Sequence, residues 1–167
     1  MSAARVILVM GVSGSGKTTV GAMLAGRLGW EFVDGDDFHS PANVAKMHAG
    51  HPLDDEDRWP WLDSVAAWID AVRRTGGRGI VACSALRRVY RERLAGGREE
   101  VTVLFLEGDV EVVAARQAAR PGHYMPASLV ASQFATLEEP GEGERVIRVS
   151  VAPAPGVVVD EVMGRLP

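Results

Sequence analysis

Residues 11–18 read Gly-Val-Ser-Gly-Ser-Gly-Lys-Thr, and these residue types at this spacing form a loop that can bind phosphate groups. The glycines can adopt positive φ, so successive backbone N–H groups can point at one anion. Lys17 adds a positive charge for the β- and γ-phosphates of a nucleotide, and the Thr18 hydroxyl is a ligand for Mg²⁺. The predicted nucleotide-binding residues of this loop are Gly11, Ser13, Gly14, Ser15, Gly16, Lys17, Thr18 and Thr19.

The sequence on either side of this loop has the elements that a phosphate-binding loop needs. An apolar run over residues 5–10 precedes it and suits a strand that is buried on both faces. Val20, Leu24 and Leu28 follow it at helical spacing, so the loop would end at a helix N-terminus with free N–H groups. A chance glycine-serine turn is the alternative, and the flanking strand and helix disfavour it. We therefore interpret residues 11–18 as a P-loop.

An acidic cluster, Asp34-Gly-Asp-Asp-Phe-His39, directly follows the second predicted strand. Three carboxylates within four positions repel one another unless a metal, a hydroxyl or an arginine compensates. Asp36 is our candidate general base, which would accept the proton of a hydroxyl that attacks the bound nucleotide. For Asp34 and Asp37, a solvated turn that caps the next helix is an equally good interpretation. His39 fits either a surface cap or a substrate contact.

Arg58 is a candidate for binding an anionic substrate. It lies beside Trp59 near a predicted helix start, with Pro60 in the first turn. A guanidinium there could bind a carboxylate through two hydrogen bonds, where a lysine would offer only a point charge. The alternative is a surface ion pair between Arg58 and the neighbouring aspartates.

Residues 83–91 follow the third predicted strand and supply further candidates. Cys83 is predicted to be a small buried side chain, while Ser84 could bind substrate or a metal-bound water. Arg87 or Arg88 could face an anion. At least one of Arg88 and Arg91 is expected to be a solvated helix residue.

Arg116 and Arg120 are spaced so that they share one face of a predicted helix, just before a Pro-Gly break. Two guanidinium groups on a hinged segment suit a lid that closes over a triphosphate and neutralises developing charge. His123 could join this lid or pack at the turn, and an amphipathic helix with solvated arginines is the alternative. We interpret residues 116–126 as the lid, and assign Gln133 in the next helix only a structural role.

Strands and helices alternate along the sequence. Apolar runs predict strands over 5–10, 31–34, 79–83, 101–106 and 146–151. Helical spacing and start signals predict helices over 17–28, 58–74, 87–95, 109–119, 126–138 and 156–165. This alternation predicts an α/β fold with a mostly parallel sheet between helices, and with its functional loops at the carboxyl ends of the strands.

Size and composition narrow the classes of function. The 167 residues suit one domain, residues 1–167, and the net charge of −4 gives no bulk attraction to nucleic acid or an anionic membrane. The single cysteine is compatible with a reducing compartment, and neither a signal peptide nor a membrane-spanning run is apparent. We therefore expect a cytoplasmic protein with no nucleic-acid or membrane partner.

Several motifs taken together resemble the gluconokinase family. Beside the P-loop and the acidic cluster, they are Asn-Val-Ala-Lys-Met at 43–47, Pro-Leu-Asp-Asp-Glu-Asp-Arg-Trp-Pro-Trp-Leu at 52–62 and Cys-Ser-Ala-Leu-Arg-Arg-Val-Tyr-Arg at 83–91. Gly-His-Tyr-Met at 122–125 and Ser-Gln-Phe-Ala-Thr-Leu-Glu-Glu-Pro at 132–140 complete the set. The resemblance covers nearly the whole chain. Phe38 and the Arg87-Arg88 pair differ from some relatives but keep the apolar or cationic character.

The resemblance implies a P-loop NTPase fold of the nucleoside-monophosphate-kinase type, with a five-stranded sheet in the order 2-3-1-4-5. It implies a kinase that phosphorylates D-gluconate at its 6-hydroxyl with ATP and Mg²⁺, and a homodimer. By position, the catalytic residues would be Lys17, Asp36 and Arg120. Arg116 and Arg120 would add to the nucleotide site, and Thr18 would bind the metal. The candidate substrate-binding residues are Asp36, His39, Lys46, Arg58, Ser84, Arg87 and His123.

Two other interpretations fit parts of the sequence. A kinase for shikimate or a nucleoside monophosphate shares the P-loop, but a shikimate site would bring a Gly-Gly-Gly turn where residues 83–85 read Cys-Ser-Ala. A nucleotide-dependent switch would need Asn-Lys-x-Asp and Asp-x-x-Gly motifs, and the sequence has neither.

Overall fold

The computed structural model describes residues 4–119 and 127–167. Its strands are β1 (Val6–Met10), β2 (Glu31–Asp34), β3 (Gly79–Ala82), β4 (Val101–Glu107) and β5 (Val146–Ser150). All neighbouring strands run parallel, in the order β2-β3-β1-β4-β5. The predicted sheet and its strand order are confirmed, with each strand end within one residue of its expected position.

The described residues form seven α-helices. They are α1 (Lys17–Leu28), α2 (Pro41–His48), α3 (Asp55–Arg74), α4 (Arg88–Ala95), α5 (Val110–Ala119), α6 (Ala127–Thr136) and α7 (Pro155–Arg165). A short 3₁₀ turn, Gly35–Phe38, separates β2 from α2. Within this described part of the chain, no helix has the length and apolar character that crossing a membrane requires.

Helix α2 was not predicted, although its start carries two ordinary signals. The Ser40 side chain accepts a hydrogen bond from the Asn43 N–H at 3.1 Å, and Pro41 occupies the first turn. The helix has only eight residues, so its apolar spacing is too short to identify it.

Helix α3 begins earlier than predicted, at Asp55 instead of residue 58. Asp54 and Asp57 form a capping box in which each side chain accepts from the other residue's backbone N–H, at 2.8 and 3.0 Å. The acidic run that we interpreted as partners for an arginine is therefore also the helix start. Pro60 consequently lies inside the helix and not in its first turn.

The sheet is buried on both faces because successive side chains of a strand point to opposite sides. Leu8 of β1 belongs to a core layer that includes Leu62 of α3, and both side chains are fully buried. Val9, the next residue, belongs to the opposite layer with Leu24 of α1. The sheet thus fixes the loops at its carboxyl edge between two packed layers of helices.

A smaller apolar cluster connects the P-loop to the helices on either side of the expected lid. It consists of Val12, Leu86, Val113 of α5 and Val130 of α6, all buried. Through this cluster, α5 and α6 are packed directly against the P-loop and the segment that follows β3.

Candidate active site

The P-loop has a backbone that only glycine can follow at several positions. The φ values are +154° at Gly11, +85° at Gly14 and +96° at Gly16, all in the region that other residues avoid. A Cβ on Gly11 would also lie 2.6 Å from Ser15 Oγ and 3.0 Å from the Leu106 carbonyl oxygen. The predicted use of glycine for close backbone approach is therefore seen at this loop.

Inside the loop, Lys17 curves back over the backbone. Its Nζ donates to the carbonyl oxygens of Gly11 and Val12, at 3.0 Å each. Ser15 is buried, and its Oγ has no hydrogen-bond partner among the residues that the structure describes. A lysine over a loop of N–H donors forms a cradle for an anion, which fits the phosphates of a nucleotide.

The oxygen atoms that suit Mg²⁺ lie where α1 begins and where β2 ends. The Thr18 hydroxyl donates to Asp34 Oδ2 at 3.0 Å, while Asp34 Oδ1 accepts from the Asp36 N–H at 2.9 Å. Asp34 therefore both caps the 3₁₀ turn and faces the P-loop. Among the described residues, no group of three or more His, Cys, Asp or Glu side chains could hold a metal by itself. This pair fits Mg²⁺ only as part of a shell completed by phosphate and water oxygens.

A cavity of about 420 Å³ connects the P-loop to the acidic cluster. Its described walls come from the P-loop, the 3₁₀ turn, the end of α2, α3, the segment after β3 and α6. They are lined by Ser13, Lys17, Asp36, His39, Met47, Gly50, His51, Pro52, Leu53, Arg58, Trp61, Ser84, Ala85, Leu86, Tyr90, Ser132, Gln133 and Thr136.

Asp36 is the carboxylate in this cavity. Partial desolvation among the surrounding protein atoms raises its pKa, the charge of Asp34 adds to the rise, Lys17 opposes it, and Asp37 adds to it. The side chain is still 79% exposed to water, so a substrate that closed the cavity would desolvate it further. A carboxylate with a raised pKa beside a lysine is suited to accept a proton.

His39 lies against the wall of the cavity with its ring fixed. The ring stacks on Trp61, with the centroids 4.1 Å apart, and the Trp61 indole N–H donates to the Gly35 carbonyl oxygen at 2.7 Å. Burial lowers the pKa of His39, and the charge of Arg58 lowers it further. His39 is therefore an uncharged wall residue at neutral pH and not an exposed helix cap.

Arg58 and Arg87 meet at Tyr90, but only one of them lines the cavity. Arg58 Nη1 donates to the Tyr90 hydroxyl at 2.9 Å, and that hydroxyl donates to Asp55. Arg87 lies on the same ring and pairs with Asp55 at 3.1 Å. Arg87 is not among the described residues that line the cavity, whereas Arg58 is.

Lys46 of α2 is also engaged elsewhere. Its Nζ donates to Asp57 Oδ2 at 2.6 Å, and this hydrogen bond lowers the pKa of Asp57 and raises that of Lys46. Lys46 is not among the described lining residues. The structure thus brings Asp36, His39, Arg58 and Ser84 together at the cavity and holds Lys46 beside α3.

Ser84 lies in a segment whose shape depends on a buried arginine. The neighbouring Ala85 has φ of +44°, and Arg91 Nη1 donates to the carbonyl oxygens of Ala85 and Leu86 at 2.9 and 3.1 Å. Arg91 is only 1% exposed and pairs with Glu144 at 2.7 Å. Of the later arginines, Arg88 is the solvated one and Arg91 is structural.

The expected lid lies partly outside the described residues. Arg120 and His123 are among the residues that the structure does not describe. Arg116 belongs to α5, where its Nη2 lies 3.5 Å from the carbonyl oxygens of Ala152 and Pro153. Gln133 of α6 reaches the P-loop, and its Oε1 accepts from the Ser13 N–H at 2.5 Å.

Comparison with known proteins identifies the group to which this chain belongs. A family model described as an AAA domain matches residues 6–140. A gluconokinase of Gluconobacter oxydans (strain 621H) is 48% identical over 159 residues, which cover 95% of this chain and 89% of the relative. The crystal structure of a gluconokinase from Sinorhizobium meliloti 1021 superposes with a TM-score of 0.86 at 41% identity, covering 98% of this chain and 92% of that one.

The chain belongs to the gluconokinase family.

The expected resemblance is therefore confirmed for the family and for the fold. The crystal structure of shikimate kinase from Aquifex aeolicus vf5 is 17% identical with a TM-score of 0.55, which is a likeness of fold alone. Membership of the gluconokinase family thus explains the motifs outside the P-loop, which the P-loop by itself does not explain.

Four residues of this gluconokinase-family site were missed or underrated by the sequence analysis. Asn43, Tyr90, Arg91 and Gln133 each connect a cavity residue to another element. Tyr90 and Arg91 left a signal that could have been used, because they precede the buried Leu94 by four and three positions and so share its helix face. The other two depend on rotamers and on contacts between distant segments.

Proposed function

We propose that this chain transfers the γ-phosphoryl group of ATP to the 6-hydroxyl of D-gluconate, giving 6-phospho-D-gluconate and ADP. The observation that supports this most directly is a single cavity with a phosphate cradle at one end and a carboxylate base with an arginine at the other. Its volume of about 420 Å³ suits a sugar acid beside a nucleotide's terminal phosphate.

In the proposed reaction, Asp36 accepts the proton of the 6-hydroxyl as the oxygen attacks the γ-phosphorus. The new oxygen–phosphorus bond forms while the bond between the γ-phosphorus and its bridging oxygen breaks, and ADP leaves with the electron pair. Lys17 neutralises the charge that develops on the phosphoryl oxygens, and the P-loop N–H groups hold the β-phosphate. Asp36 then releases the proton to water.

We propose that Arg58, and not Arg87, binds the carboxylate of gluconate. Arg58 lines the cavity, and its guanidinium is oriented by the Tyr90 hydroxyl at 2.9 Å. The Arg87 guanidinium is already paired with Asp55. A planar guanidinium held at one edge keeps its other donors for a bidentate contact with a carboxylate.

We propose that Thr18 and Asp34 hold Mg²⁺ together with the nucleotide. When bound, the metal would supply charge neutralisation at the phosphate oxygens. We further propose residues 116–126 as the lid of a kinase domain that spans residues 1–167, with Arg116, Arg120 and His123 approaching the phosphates on closure. A homodimer and a cytoplasmic location stay predictions, which light scattering and cell fractionation would test.

The test of this function is an ADP-release assay with MgATP and a panel of acceptors: gluconate, other sugar acids, shikimate and AMP. We expect turnover with gluconate, and ³¹P-coupled NMR of the product should show the phosphate on O6. Turnover of shikimate or AMP without turnover of gluconate would overturn the assignment of gluconate as the substrate and leave the fold assignment intact.

A further inference from the structure

The His39 ring is fixed by its neighbours, and only one of its two nitrogens is next to Asn43. Its side chain is only 3% exposed and stacks on Trp61 with 17° between the two planes. Asn43 approaches the other edge of the ring, where its Nδ2 lies 3.3 Å from His39 Nδ1. The remaining nitrogen, Nε2, lies 3.9 Å from Asp36 Oδ1, and both residues line the cavity.

The contacts of Asn43 decide which atom it presents to the imidazole. The same Nδ2 donates to the backbone carbonyl oxygen of Asp57 at 2.9 Å. A carbonyl can only accept, so the NH₂ end of the amide must face Asp57, and a flipped amide would put two oxygens together. The group within reach of His39 Nδ1 is therefore a donor.

The state of the imidazole follows from that donor. A neutral imidazole has one N–H and one acceptor nitrogen, and Nδ1 must be the acceptor to receive the Asn43 N–H. The ring proton is then on Nε2, which lies 3.9 Å from the carboxylate that we propose as the base. Burial and the Arg58 charge both lower the pKa of His39, which keeps the ring neutral.

We propose that His39 is a fixed hydrogen-bond donor of the acceptor site, which presents its Nε2–H to a substrate hydroxyl next to Asp36. In this role Asn43 is a positioning residue that acts through the imidazole by selecting the tautomer. The inference rests on the proposed phosphorylation of a polyhydroxy acid in this cavity. It extends that proposal by naming the hydrogen-bond donor that orients the substrate hydroxyl while Asp36 accepts the hydroxyl proton.

The tautomer can be measured without substrate. Two-bond ¹H–¹⁵N spectra of the folded protein distinguish Nε2–H, Nδ1–H and doubly protonated imidazoles, and the His39 signal among the four histidines is assigned by its loss in His39→Gln. We expect the Nε2–H pattern at pH 7. An Nδ1–H or doubly protonated ring at that pH would overturn the proposal.

The role of Asn43 is tested by Asn43→Asp, which replaces the donor with an acceptor of the same shape. We expect the His39 ring to change to the Nδ1–H or doubly protonated form, and an unchanged Nε2–H pattern would refute the positioning role. If Asn43→Asp does not fold, Asn43→Ala serves instead. Loss of the directing donor should then produce a measurable Nδ1–H population, as in an unconstrained histidine side chain, and a pure Nε2–H pattern would refute the positioning role.

Kinetics with gluconate then test the donor itself. The amide nitrogen of glutamine can reach the position of Nε2, whereas that of asparagine reaches only the position of Nδ1. We expect His39→Gln to keep kcat/KM within about threefold of the parent and His39→Asn to lose roughly tenfold. Equal losses in the two variants would refute the donor role. Failure of the parent protein to phosphorylate gluconate would instead overturn the proposed function, and the tautomer result would stand apart from it.

Discussion

The two ends of the cavity are built in different ways. At the phosphate end, the groups come from one continuous segment, residues 11–18, and most of them are backbone N–H groups. At the acceptor end, they are side chains from separate elements, such as His39 before α2 and Arg58 of α3. Each of these side chains is held by a partner from another element, Asn43 for His39 and Tyr90 for Arg58.

This difference determines how each end responds to substitution. A backbone cradle depends on the φ values of its glycines and on one lysine, so most side-chain changes around it act only locally. A network of side chains transmits the loss of one member to its partners, because each was oriented by the others. We therefore expect substitutions at the acceptor end to show strong coupling, and those at the phosphate end to show little.

The largest effect is expected from Asp36→Asn, which removes the proposed base and keeps the shape of the side chain. General-base catalysis contributes about 10²–10⁴-fold, so kcat should fall by about that factor while ATP binding is retained. Single-turnover kinetics and nucleotide titration separate the two quantities. A variant that kept its kcat would show that the acceptor end contains no base at this position.

The matched control, Asp37→Asn, tests the electrostatics of the same turn. The base works when it is deprotonated, so kcat/KM falls as the pH drops through its pKa in the free enzyme. Because that pKa is raised, the acid limb should lie above pH 3.8 in the parent protein. Removing the Asp37 charge should move the limb to lower pH with kcat preserved, and a limb that moved upward would contradict this account.

The second largest effect is expected on stability, from Arg91→Leu. Glu144 is largely buried; burial raises its pKa, but hydrogen bonds from Arg91 and from the Gly141 N–H outweigh this and leave the pKa lowered. Removing one partner of a buried pair costs about 3–5 kcal/mol, which corresponds to about 6–20 °C in Tm for a chain of this size. Calorimetry measures this directly.

Two variants sharpen the result for Arg91. Arg88→Ala changes an exposed arginine of the same helix and should cost no more than about 1 kcal/mol. The double variant Arg91→Leu/Glu144→Leu should recover part of the loss, because no buried charge remains.

The fraction of the Arg91→Leu protein that stays folded should show a larger rise in KM for gluconate than for ATP, since Arg91 supports the acceptor end. Equal rises would break the proposed contrast between the ends.

Arg58 and Arg87 offer the next comparison, because they share Tyr90 but only Arg58 lines the cavity. Loss of a charge-assisted hydrogen bond to the substrate should raise KM for gluconate by about 10–150-fold in Arg58→Ala. Arg87→Ala loses a half-exposed ion pair and should change KM by less than about threefold. Steady-state kinetics at saturating ATP measure both, and the reverse order would assign the carboxylate contact to Arg87.

The sequence predicted the two ends of the cavity unequally, for a physical reason. The P-loop was recognisable because its function is carried by consecutive residues, and the strand order followed from the family that the motifs resemble. At the acceptor end, Asp36 and Ser84 could be selected by residue type and by position after a strand, and Arg58 by residue type near a predicted helix start. The partners of these side chains could not be predicted from the sequence. Several arginines and aspartates are available, and which of them pair depends on side-chain rotamers in the folded chain.

The helices show the same limit in another form. α2 is too short for its apolar spacing to stand out. At the start of α3, Asp57 belongs to the capping box and also pairs with Lys46, while Asp55 of the first turn pairs with Arg87. A charged residue that serves both a helix start and an ion pair gives a sequence pattern with two correct interpretations. Only the folded structure shows that both apply.

The smallest effect is expected where the two ends meet, at Gln133. Its Oε1 accepts from the Ser13 N–H of the P-loop, although the two residues are 120 positions apart in the sequence. Gln133→Leu removes a neutral hydrogen bond, which should lower kcat/KM for ATP by about 2–10-fold and leave the Tm nearly unchanged. Ser132→Ala, on the same helix and also in the cavity wall, is the control and should leave kcat/KM for ATP unaltered. Because the lost partner belongs to the backbone of the phosphate cradle, the deficit should appear with ATP before it appears with gluconate. A deficit confined to gluconate would mean that this glutamine belongs to the acceptor network, and that the boundary between the two ends lies on the other side of α6.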